Sequence, residues 1–311
     1  MDPVVLFFLL GVAARLMRSD LRLPEPLYEG LSMVLLLAIG LKGGVELARH
    51  PSGALLPQVV AVLLLGFSLP LLAYPVLRFV GRLPRPDAAS IAAHYGSVSV
   101  VTFAVAVAWL LERGVSHEAH APLFVVLMEV PGIIVGILLA RVGAGRSVDW
   151  GHTAHEVLLG RSVVLLAGGL AIGWVSGPEA LVPQGKLFFD LFKGLLALFM
   201  LEMGLVAAGR LRDLRRTGPF LVAFGTLMPC VSAFLGVLVA SFVGLSIGGA
   251  TLLATLAASA SYIAAPAAMR IAVPEANPSL SLAAALGVTF PFNVVLGVPL
   301  YHRMAEAILG A

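Results

Sequence analysis

Apolar residues in this chain run in long blocks instead of alternating. The blocks fall near residues 3–18, 28–47, 55–79, 88–111, 120–142, 159–176, 187–207, 219–242, 248–271 and 281–305, separated by short stretches holding charge, proline and glycine. A helix needs about 20 residues to cross the hydrocarbon core of a bilayer. A run that is apolar on every face has no side to show to water. The pattern predicts an all-α polytopic membrane protein of ten transmembrane helices. Composition agrees: 59% of the 311 residues are hydrophobic and 12% charged, with a mean hydropathy of +1.01. Ten spans leave little chain for anything else, so a large extramembrane catalytic domain is excluded. Cys230 is the only cysteine, which excludes an intrachain disulfide and a cysteine metal cluster.

Charge orients the spans. Allocated to alternating sides, the 20 Lys and Arg residues divide into fourteen on one side and six on the other. Basic loops stay in the cytoplasm, so the first side is read as cytoplasmic and both termini as outside. At the start, Asp2 precedes the apolar core and Arg15, Arg18 and Arg22 follow it. That order is the reverse of a cleaved signal, and the segment is read as a retained first span. The pI near 9.3 then records topology, and nucleic acid is not an expected partner; the lipid bilayer is.

The polar, glycine-containing stretch Val142–His155 divides five spans from five. The expected organisation is a first repeat at 1–145, a cytoplasmic linker at 146–157 and a second repeat at 158–311. An odd number of spans per half makes such a repeat inverted. Three local matches support it. Ile91–Ser99 aligns without a gap on Leu253–Ser261, the Tyr28–Leu41 region aligns on Phe192–Leu205, and Pro131 matches Pro291.

Two of the matched segments carry Ser97-Val98-Ser99 and Ser259-Ala260-Ser261 at mid-span. Small polar interruptions at bilayer depth are tolerated where the backbone lines a protein cavity, and a matched pair points to a midplane binding site. Helices 4 and 9 are therefore expected to be broken there. Each second half-helix would begin with free N–H groups and a positive dipole end, beside Gly96 or Ala258. Pro266 suits the first turn of such a restart. The other reading of these serines is small packing residues bonded back to their own helix.

Carboxylates within spans are costly and mark function. Glu129, next to Pro131, and Glu202 lie deep, and Thr102, Thr289 and Asn293 could add the oxygen ligands that sodium prefers. Lys42 and Glu46, one turn apart, form an expected structural pair. No Arg or Lys falls at the midplane, which argues against sulfate or phosphate. A compact monovalent anion compensated by a cation is compatible. An intramembrane hydrolase using His94 as base is disfavoured, because the second repeat keeps the serines but has Leu256 in place of His94. A proton antiporter using Glu129 or Glu202 is a further alternative.

The segments Leu37–Leu47, His94–Phe103, Leu201–Val206 and Ala258–Arg270 together resemble the sodium-dependent bicarbonate transporter family, SbtA type. The resemblance implies two inverted five-helix repeats, a core moving against a gate, a homotrimer, and sodium-driven uptake of bicarbonate across the plasma membrane. It also implies that the broken helices hold bicarbonate, mapping here onto Gly96, Ser97, Val98 and Ser99 and onto Ala258, Ser259, Ala260, Ser261 and Tyr262. A PII-like regulator can bind such transporters, but the short linker here weakens that expectation. The bile-acid sodium symporter type, with similar broken helices, is the alternative for a larger organic anion.

Overall fold

The computed structural model describes residues 3–49, 55–141, 151, 155 and 158–310, without the side chains of Glu46, Ser162 and residues 211–217. The expected linker at 146–157 and the Lys42–Glu46 pair thus lie largely outside the described residues. All regular structure among those described is helical: α1 Pro3–Leu16, α2 Glu25–Arg49, α3 Leu55–Val80, α4 Arg85–Gly96, α5 Val100–Glu112, α6 Ala121–Arg141, α7 Arg161–Ala180, α8 Phe192–Phe242, α9 Ile247–Ala257, α10 Ala264–Ala272 and α11 Pro278–Leu309. Eight helical stretches are long and apolar enough to cross a membrane, with Arg85–Glu112 counted across its break. Of the expected spans, the first is a shorter helix and the ninth is interrupted.

Two boundaries differ from the sequence reading. Residues 208–217 were expected to form a loop between the seventh and eighth spans; instead α8 runs on to a bend at Gly218, with φ +79° and ψ 166°. No glycine or proline stands between Gly209 and Gly218 to stop the helix, and only at Gly218 can the backbone enter the left-handed region without strain. The tenth span is longer than expected. Its turns widen to the π form at Ala283–Thr289 and Asn293–Gly297, on either side of Pro291, which absorbs a residue that cannot donate to the helix.

Glycines set the outer packing. Cβ atoms on Gly11 of α1 and Gly204 of α8 would run into each other's helix backbone, as would those on Gly44 of α2 and Gly173 of α7. Lipid supplies no hydrophobic drive between helices, so such close backbone approach is what holds them. α4 with α5 forms the centre of the molecule. Its most apolar stretch is 100% buried, against 17% for α7, and every residue of Gly248–Ala257 in α9 is buried as well. The first interrupted span is thus enclosed throughout, and the second along its first half. Freed N–H and C=O groups could not face hydrocarbon.

Candidate functional site

Each break divides its span near the middle. α4 has 12 residues and α5 has 13; α9 has 11 and α10 has 9. Between α4 and α5 the chain is extended at Ser97 (φ −95°, ψ 170°) and Ser99 (φ −108°, ψ 111°). Ser99 caps α5, its Oγ accepting from the Thr102 amide at 3.2 Å and from Thr102 Oγ1 at 2.9 Å, an arrangement that satisfies one of the four orphan donors of a helix start. Ser261 Oγ does the same for Ala265 at 3.2 Å. Pro266 stands within the first turn of α10, where its missing N–H costs nothing.

The two breaks are bonded to one another. Ser99 N donates to Ser259 Oγ at 2.8 Å, and Ser261 N donates to the His94 carbonyl at 2.8 Å. Ser259 Oγ in turn donates to Leu256 O at 2.8 Å. Ser97 Oγ is buried and has no protein partner, as does His94 Nε2. His94 Nδ1 lies 2.7 Å from the Ser90 carbonyl and must be the protonated nitrogen, because a carbonyl can only accept.

A cavity of about 10 Å³ lies against the starts of both second half-helices, lined by Val98–Val101, Ser261–Ile263 and Glu129. It has room for about one water. Glu129 is 3% exposed and makes no side-chain hydrogen bond or ion pair among the described residues. The cavity therefore combines backbone donors for an anion with one carboxylate and serine oxygens for a cation.

The other expected cation ligands lie elsewhere or are already engaged. Asn293 Nδ2 donates to Ala258 O at 2.9 Å while its Oδ1 accepts from Tyr301 at 2.6 Å. Thr289 donates to Gly225 O at 2.7 Å and lies 2.6 Å from the Tyr95 hydroxyl. Thr102 is held by Ser99. Glu202 is away from both breaks, accepting from Leu23 N at 3.2 Å in a pocket with Arg15, Arg22 and Arg210. Two supports escaped the sequence reading. Gly132 backs the first break so closely that a Cβ would fall on the Gly96 carbonyl and the Ser97 amide; its position just after Pro131 was an available signal. Tyr301, which locks Asn293, lies one span-half away and had none.

Further cavities lead outward. One of about 20 Å³ shares Val100, Val101 and Ile263 with the first and is also lined by Ile39 and Phe199. Ile39 in turn borders a cavity of about 760 Å³ that reaches Lys42, Glu118, Asp190 and Lys193. Among the described residues no cluster of three His, Cys, Asp or Glu side chains could hold a metal.

Paired broken helices enclosed by apolar spans define a multi-pass membrane transporter. The chain belongs to the Na+-dependent bicarbonate transporter superfamily, whose family model matches residues 3–306. This is a transporter family, and the protein is not an enzyme. No curated protein matches the sequence at a significant level.

Proposed function

We propose that the protein imports bicarbonate by sodium-coupled symport, with the crossing of the two breaks as the site of both ions. The observation that carries this reading is the mutual bonding of Ser99 to Ser259 and of Ser261 to His94, with unpartnered Glu129 facing the same small cavity. Bicarbonate would take the first-turn N–H groups of α5 and α10 together with Ser97 Oγ; sodium would sit by Glu129 and neutralise the pair. With room for about one water, the crossing would have to open to admit bicarbonate and sodium, and a bile-acid-sized anion would need a far larger opening.

The packing supports an alternating-access reading. α1 against the first arm of α8, and α2 against α7, would form a gate held by glycine contacts. α3 to α6, the second arm of α8 and α9 to α11 would form the core. Exchanging the two halves of the chain turns the α1–α8 contact into the α7–α2 contact, as an inverted five-helix repeat requires. The file of cavities runs between gate and core, and its wide end opens beside Lys42 and Lys193, on the side that the charge distribution assigns to the outside. The present shape is then outward-facing. Homotrimer formation, a plasma-membrane location and a PII-like regulator rest on the family resemblance alone, and outside termini on the distribution of Lys and Arg.

Uptake of labelled bicarbonate into proteoliposomes, with and without a sodium gradient, tests the reading. Sodium-dependent uptake that falls in Ser97→Ala is expected. Uptake indifferent to sodium would overturn symport.

A further inference from the structure

We infer that the pocket between the end of α1 and the first arm of α8 binds a phosphate group, such as that of an anionic lipid headgroup or a free phosphate ester. The inference is independent of the transport site. Glu202, which looked from sequence like a cation ligand, leads to it.

The cavity measures about 350 Å³ and brings together Arg15 of α1, Arg22 of the segment joining α1 to α2, and Arg210 of α8, with Glu202 on one wall. That volume is within the usual range for small-ligand sites. The chain is folded to make this convergence. α1 ends with Ser19 N donating to Ala14 O at 2.9 Å and Arg18 N to Arg15 O at 3.1 Å, the paired bonds of a Schellman turn, with Arg18 at φ 61°. The turn sends the chain back across the first arm of α8, where Leu23 N is pinned on Glu202 Oε2. Arg22 is thereby set over the same cavity as Arg15. The Arg15 guanidinium lies over Gly209, with Nε and Nη2 each 3.7 Å from where a Cβ there would sit, in ordinary contact.

Among the described lining residues Arg15, Arg22 and Arg210 outnumber the one carboxylate, Glu202, which already spends part of its accepting capacity on Leu23. Guanidinium forks match phosphate oxygens in pairs. Basic loops need only be near the membrane to set topology; they do not need to converge on one cavity. The rim adds a second feature. Leu16 and Met17 are 61% and 74% exposed, next to the arginines, as the contact for an acyl chain beside its headgroup would be.

Native mass spectrometry of the full-length protein with phosphatidylglycerol and with phosphatidylcholine tests this. Phosphatidylglycerol should be retained preferentially, and Arg15→Gln and Arg22→Gln should each weaken retention about fivefold. Arg22→Lys should keep part of it, since charge survives without the fork. A thermal shift with inorganic phosphate alone, lost in the same variants, would assign the pocket to free phosphate esters; a response to phosphatidylglycerol only would assign it to lipid. Equal retention of both lipids with no phosphate shift overturns the inference, as does binding unchanged in a folded Arg15→Gln/Arg22→Gln double variant. If the double variant fails to fold, Arg22→Gln alone, in the connecting segment, carries the test.

Discussion

The two breaks share a sequence pattern but are supported differently. The first spans Ser97–Ser99, is walled by Pro70 and Gly132 through bare van der Waals contact, and leaves Ser97 Oγ without a partner. The second extends over 258–263 and is held by hydrogen bonds. Asn293, oriented by Tyr301, takes the Ala258 carbonyl, and Ser259 is both donor and acceptor. In the first break the matching acceptor, His94 O, is occupied by Ser261 N. Ser97 is left with no protein bond to make. One serine of the pair is therefore part of the scaffold, and its counterpart is free to meet a ligand.

Six substitutions separate these roles, and the first is expected to do most harm. Gly132→Val places a branched side chain on the Gly96 carbonyl; overpacking of this kind costs about 1–3 kcal/mol or more, and we expect loss of thermal stability and of uptake together. Ser259→Ala strands the buried Ser99 amide, at about 1–3 kcal/mol, so its melting temperature should drop. Ser97→Ala removes a hydroxyl that bonds nothing in the protein, so its melting temperature should hold while bicarbonate uptake falls. If both serine variants lose the same stability, the asymmetry between the breaks is wrong. Asn293→Ala and Tyr301→Phe should be non-additive in a double-mutant cycle, because the tyrosine acts through the amide; a coupling near zero would show that the second break does not depend on the lock. Glu129→Gln should leave the fold intact, since the carboxylate has no protein partner to lose. Its effect should appear in the sodium concentration needed for half-maximal uptake, which is expected to rise at least tenfold.

The carboxylates show where sequence reasoning stopped. Glu129 and Glu202 are both isolated acids in apolar runs, each near a glycine or proline, and nothing local distinguishes them. The fold does: Glu129 faces the crossing of the breaks, whereas Glu202 faces arginines at the end of α1. Thr289 and Asn293 likewise suggested ion ligands from their place around Pro291, and each already bonds protein partners, Thr289 with Gly225 and Tyr95 and Asn293 with Ala258 and Tyr301. Donor and acceptor capacity can be read from residue type; how much of it is already used depends on partners from 8 to 194 positions away.

The sequence by itself determined the membrane class, the helical spans and the places where two of them break. Hydrophobic length, glycine, proline and capping serine act within a few residues of where they stand, and so leave a local record. The tertiary structure alone decided which serine is free, which carboxylate meets the breaks, and how a glycine and a tyrosine distant in the chain hold them. Those outcomes depend on close packing and on hydrogen bonds between segments that only folding brings together.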